Sequence, residues 1–175
     1  MNRKLANEEL GRPDVTAFKE MEKAPLIILL DNIRSLNNVG SVFRTADAFA
    51  VEAIYLCGIT AQPPHREINK TALGATESVE WKYFDNTLTA VEVLKEQGYE
   101  VCSVEQAENS TFLDTYSPQK KVAVIFGHEV KGVEQEVINH SDTVLEIPQK
   151  GTKHSLNISV SVGVVLWDIS TKLNH

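Results

Sequence analysis

Apolar residues along the chain fall into short β-rich runs separated by stretches with helical spacing. Residues 26–30 read as a buried strand. Residues 39–50 read as a helix with Val42, Phe43, Ala46 and Phe49 on one face. A second strand is predicted at 53–57, then a loop at 58–67 that holds Pro63 and Pro64, then a weaker strand at 79–84. Asn86 suits the N-cap of a helix over 87–97, and Gly98 its stop. Strands follow at 99–104 and 122–126, a short helix at 133–139, and a last strand at 143–147.

Strands that alternate with helices need crossover connections, which gives an α/β fold with a mainly parallel sheet flanked by helices. Residues 1–24 read as a polar, helix-prone extension, and 25–175 as one domain. The stretch 158–169 stands apart because it is apolar on nearly every face: Ile158, Val160, Val162, Val164, Val165, Leu166, Trp167 and Ile169. A helix that is apolar all round has to bury a second face. We read it as a core helix that also meets a partner, most simply a second copy of the chain.

Composition changes this picture little. A length of 175 residues suits one domain with a proper core, and 42% hydrophobic with 23% charged residues is ordinary for a water-soluble protein. No apolar run is long enough to span a bilayer, and residues 1–10 are too polar for a signal peptide, so a cytoplasmic protein without a membrane partner is expected. Cys57 and Cys102 both lie in apolar runs and read as buried thiols, neither a disulfide nor a zinc site.

Charge matters by location. The net charge is −7, and residues 86–116 contribute −5 of it, with Lys95 against Glu92, Glu96, Glu100, Glu105, Glu108 and Asp114. The rest is close to neutral and can still present a basic face to a nucleic acid. The acidic stretch is expected to face away from it.

Several familiar chemistries are absent. There is no P-loop, no Rossmann G-x-G-x-x-G and no G-x-S-x-G elbow, and His128-Glu129 lacks the second histidine of a zinc protease. Three polar, glycine-bearing segments remain, each at or just beyond the C-terminal end of a strand, where open α/β sheets bind ligands. The first is Asn37-Asn38-Val39-Gly40-Ser41 with Arg44, Thr45 and Ala46; Asn38 can cap the helix, and Arg44 is placed toward the sheet edge. The second runs from Phe126 through Gly127, His128, Glu129, Val130 and Lys131 to Gly132. The third runs from Ile147 and Pro148 through Gln149, Lys150, Gly151, Thr152, Lys153, His154, Ser155 and Leu156 to Asn157, with Ser155 or Asn157 as the cap of the apolar helix. Each alone fits an ordinary turn, and His154, without a carboxylate partner in sequence, reads as a loop histidine.

Together and in this order the three segments resemble the motifs of the SpoU (TrmH-like) family of SPOUT-class RNA methyltransferases, over roughly residues 26–170. Asn38-Val39-Gly40-Ser41 with Arg44-Thr45-Ala46 is similar to motif 1, Gly127-His128-Glu129 with Gly132 to motif 2, and Ile147-Pro148, Gly151 and Ser155-Leu156-Asn157 to motif 3. His128 stands where Asn is usual, Val130 where Gly is frequent and Gln149 where Met is frequent, departures that bear on the packing of the cofactor loops.

The resemblance implies a C-terminal trefoil knot and a homodimer. It implies S-adenosylmethionine held by Gly127, Ile147, Leu156 and Gly151 with their neighbours, and no metal. It implies methyl transfer to a ribose 2′-hydroxyl of structured RNA, with tRNA slightly favoured over 23S rRNA. Arg44 would activate the hydroxyl. A guanidinium, with a pKa above about 12, is a poor general base, so the expected role is to clamp the adjacent phosphate and lower the hydroxyl's pKa. Asn38 would hold Arg44 or the ribose. Glu129 would orient the motif 3 loop or neutralise the sulfonium, and Ser155 and Asn157 would position loop and nucleotide. Arg66, Lys70, Lys131, Lys150 and Lys153 flank the motifs and are the candidate phosphate contacts. The alternatives are a non-catalytic RNA-binding or ribosome-assembly factor on the same fold, and a nucleotide-binding regulator.

Overall fold

The computed structural model describes residues 1–174. Its strands are β1 (Ala24–Asp31), β2 (Val51–Cys57), β3 (Trp81–Phe84), β4 (Glu100–Val104), β5 (Thr111–Phe112), β6 (Val122–Gly127) and β7 (Thr143–Glu146). The helices are α1 (Val15–Glu20), α2 (Leu36–Ala48), α3 (Arg66–Ala72), α4 (Ala75–Ser78), α5 (Thr87–Glu96), α6 (Gln135–His140) and α7 (Ile158–Leu173).

The strands form one parallel sheet in the order β3-β2-β1-β6-β4-β7-β5. Strand β1 is apolar on both sides because both are covered. Leu26, Ile28 and Leu30 meet α2 and α7, while Ile27 and Leu29 meet α5 and α6. Strand β3, at the sheet's edge, is only half-buried, which explains its weaker pattern.

Helix α5 lies where the spacing predicts it. The Asn86 side chain accepts the N–H of Leu88 at 2.8 Å, and the chain leaves through Gly98. Helix α2 differs from expectation. Its cap is Ser35, whose hydroxyl accepts the N–H of Asn38 at 3.2 Å, so the helix starts earlier and Asn38 sits inside it. The segment from 66 to 78, unassigned by pattern, forms α3 and α4. Each is too short to show a period, and α3 buries only Ile68 and Ala72. Gly40 is what lets α2 and α3 touch, because a Cβ there would fall 2.0 Å from Thr71 Oγ1 and 2.2 Å from the Ile68 carbonyl.

Within the polar extension α1 docks on the domain through Phe18. Helix α7 buries Ile158, Val162, Val165, Leu166 and Ile169 in the core, and leaves Val160, Val164 and Trp167 exposed at 51%, 38% and 62%. After β6 the chain runs through α6 to β7, on the far side of β4, and α7 then returns to pack on α2, β1 and β6. No helix among the described residues is long and apolar enough to cross a membrane.

Both cysteines are buried and free. Burial pushes each thiol up to about 12, helped at Cys57 by the nearby Asp31 carboxylate. Neither is a thiolate nucleophile at neutral pH.

Candidate active site

The ends of β1, β2 and β6 lie level: Asp31 pairs with Cys57 on one side and Gly127 on the other. Their loops therefore emerge side by side where the strand order reverses, the usual ligand edge of an open parallel sheet.

Glu129 occupies this junction. Its Oε2 accepts the N–H of Arg34 at 3.0 Å, and its Oε1 accepts the N–H of Ser35 at 2.9 Å and the Asn38 amide at 3.2 Å. Partial burial raises its pKa, but the donors of Ser35 and Arg34, its own N–H and Asn38 outweigh that and hold the carboxyl below its ordinary value. Glu129 is thus an ionised clasp between motif 2 and the start of α2. The carboxylate orders motif 1 and makes no hydrogen bond to motif 3, and Asn38 is bonded to Glu129, not to Arg44. Arg44 is exposed on α2, with no ion pair among the described residues.

Beside Glu129 lies a cleft of about 1010 Å³ walled by the loops after β4, β6 and β7. Gly127, Glu129, Lys131, Ile147, Ser155, Leu156 and Asn157 all line it. Apolar wall comes from Val104, Phe126, Ile138 and Ile147. The backbone N–H and carbonyl of Leu156 take no hydrogen bond among the described residues, so both stay free for a ligand. A cleft with apolar walls and free main-chain groups fits a nucleoside-sized molecule such as S-adenosylmethionine.

Gly151 lies outside the lining, in an exposed turn with open space around it. Asn157, not Ser155, caps α7, its side chain accepting the N–H of Ser159 at 2.9 Å. Arg66, Lys70, Lys131, Lys150 and Lys153 are all exposed, and Lys70 pairs with Glu67 at 3.0 Å. An exposed pair of this kind contributes little and leaves the lysine available.

Sequence spacing missed Arg34 and Ser35, whose backbone N–H groups hold Glu129. Glu105 and Glu108, from the acidic stretch, line the cleft as well, a placement that spacing did not indicate. Among the described residues no group of three or more His, Cys, Asp or Glu is placed to hold a metal ion.

A model of the SpoU rRNA Methylase family matches residues 25–167. The chain belongs to that family. It is 31% identical over 160 residues to an uncharacterised tRNA/rRNA methyltransferase of Borreliella burgdorferi, covering 90% of this chain and 68% of the relative. The chain spans about two thirds or less of the length of the curated relatives it matches. Among solved structures, the AdoMet-bound rRNA methyltransferase of Sinorhizobium meliloti superimposes with a TM-score of 0.79 at 25% identity, over 86% of this chain and 58% of that one. A structure described as giving insight into the 2-OH methylation of C/U34 on tRNA superimposes with a TM-score of 0.77 at 25% identity, over 86% of this chain and 99% of that one. In this SpoU chain motifs 1 and 2 are physically joined by one carboxylate, while motif 3 supplies the far wall of the cleft and the cap of α7.

Proposed function

We propose that the chain methylates a ribose 2′-hydroxyl of structured RNA with S-adenosylmethionine, tRNA being the first substrate to test. The observation that carries this reading is Glu129. It closes the cleft on one side and fixes the start of the Arg44-bearing helix on the other. The tRNA preference draws on the tRNA-modifying structure, nearly all of whose chain has a counterpart here.

S-adenosylmethionine, when bound, supplies a methyl group on a sulfonium, already a good leaving group. The chain's own work is then mainly orientation. Gly127, Ile147 and Leu156 hold the cofactor through backbone groups, and the chain around them forms the knot that the family resemblance implies. Arg44 binds the phosphate next to the target nucleotide and stabilises the alkoxide that develops as the hydroxyl proton passes to solvent. Ser155 and Asn157 position the nucleotide. Lys131, Lys150, Lys153, Arg66 and Lys70 contact neighbouring phosphates.

The site is completed by a second copy. The exposed Val160, Val164 and Trp167 border an apolar groove of about 560 Å³, and Ile147 lines both this groove and the cleft. A partner on α7 would therefore reach the cofactor wall.

The test is transfer of label from S-adenosylmethionine to tRNA and, separately, rRNA from a strain lacking the gene, with Arg44→Ala as control. The expected result is 2′-O-methyl label in one pool, at least about a hundredfold lower in the variant, with a rate that is flat across neutral pH. Binding of cofactor without label in either RNA would point to a missing partner or an unusual RNA, and no binding of cofactor at all would favour an assembly factor.

A further inference from the structure

We infer that Glu105 is a positioning residue for the cofactor loop, an inference that rests on the S-adenosylmethionine reading above. Glu105 follows β4, and both its oxygens are engaged. Oε1 accepts the N–H of Gln106 at 2.9 Å, and Oε2 accepts the N–H of Val133 at 3.1 Å. The carboxylate also lies against Gly132, which has φ +72°; a Cβ there would come within 2.2 Å of Oε2. Gly132 is thus required twice over, by its backbone and by the acid beside it.

Residues 128–132 form a closed turn. The N–H of His128 reaches the Gly132 carbonyl at 3.1 Å, and the N–H of Gly132 returns to the His128 carbonyl at 2.8 Å. His128 Nδ1 accepts the N–H groups of Val130 and Lys131 at 3.1 and 3.2 Å, so the histidine takes the acceptor role a capping Asn would play. A turn this self-contained moves as a unit and must be pinned from outside. Glu129 pins its front to α2. Glu105 pins its back, and Asp31 takes the next N–H, that of Glu134, at 3.1 Å. Beside Glu105, the Gln106 amide donates to the His154 carbonyl and so ties the third wall as well.

Glu105 thereby sets the separation of the cleft's walls without bonding to anything that would react. A glutamine keeps its size but turns an NH₂ toward one of the two N–H donors, and one bond is lost.

The experiment is calorimetric binding of S-adenosylmethionine to wild type and Glu105→Gln, with steady-state kinetics on the RNA substrate and melting curves for both. Loss of one charge-assisted bond predicts a Kd and cofactor KM about tenfold higher. At saturating cofactor kcat should stay within about twofold. A residue serving only the fold would lower the melting temperature and leave the Kd of the folded protein unchanged. Equal Kd values, or a fall in kcat at unchanged Kd, would overturn the inference. Should Glu105→Gln fail to fold, Gly132→Ala, which displaces the carboxylate, has to weaken binding in the same way; unchanged affinity there would overturn it too. Wild type that binds no S-adenosylmethionine would refute the cofactor reading itself, and this inference with it.

Discussion

At the scale of single residues, the molecule is organised by carboxylates that accept backbone N–H groups from distant segments. Glu129 reaches Arg34 across 95 positions of sequence and Asn38 across 91. Its depressed pKa fixes the sign of a pH effect. The stabilisation it gives is complete above its unfolded value, about 4.5, and is lost as pH falls through the lower folded value. Denaturant unfolding of wild type and Glu129→Gln should therefore differ by a constant amount above about pH 5, a gap that closes under more acid conditions. The gap should be modest because the carboxylate is partly solvated. A difference that instead grew toward low pH would mean the clasp is not ionised. Sequence reading could name Glu129, Asn38 and Arg44 because their residue types and order are local. It could not say that Asn38 and Glu129 are bonded, because that partnership is made only by the sheet, which sets β1 and β6 side by side. The place of Glu105 beside the cleft was hidden for the same reason, since a charge count along the chain carries no information about which strand end the charge sits on.

At the scale of elements, what was legible were segments long enough to show a period. β1, β2, β4, β6, α5 and α7 follow from their apolar spacing and caps, whereas α3, α4 and the two-residue β5 are too short to have one. At the start of helix α7 one side chain has a structural role that the proposed chemical role would share. Asn157 caps it through its oxygen, which accepts from Ser159 N–H at 2.9 Å and from the Ser159 hydroxyl at 2.6 Å. The amide NH₂ is left over, and on the proposed reading it contacts the target nucleotide. Asn157→Asp should therefore keep the cap, with stability within about 0.5 kcal/mol of wild type, while methylation falls at least about tenfold for loss of a donor. Full activity in the aspartate variant would reduce Asn157 to a cap alone.

At the scale of the whole molecule, one parallel sheet with two apolar faces is covered unequally. Helices α5 and α6 close one face, while α2, α3 and α7 close the other and leave a band of α7 uncovered. Trp167 is 62% exposed in that band, and on the proposed reading it anchors a second copy. Trp167→Glu should weaken self-association by about 2 kcal/mol or more per copy, read as a shift from dimer to monomer in sedimentation, and RNA methylation should fall with it. A monomeric wild type would remove the partner from the site.

The order in which the layers are completed has a consequence for biosynthesis. Helix α7 packs on β1 and β6, and it follows every strand in the chain. A nascent polypeptide with all seven strands already out of the ribosome still presents Leu26, Ile28, Val124 and Phe126 without the α7 residues that cover them. Until α7 is released, the half-built sheet is a sticky surface in a crowded translating cell, and shielding by a chaperone is worth most to this protein in that interval.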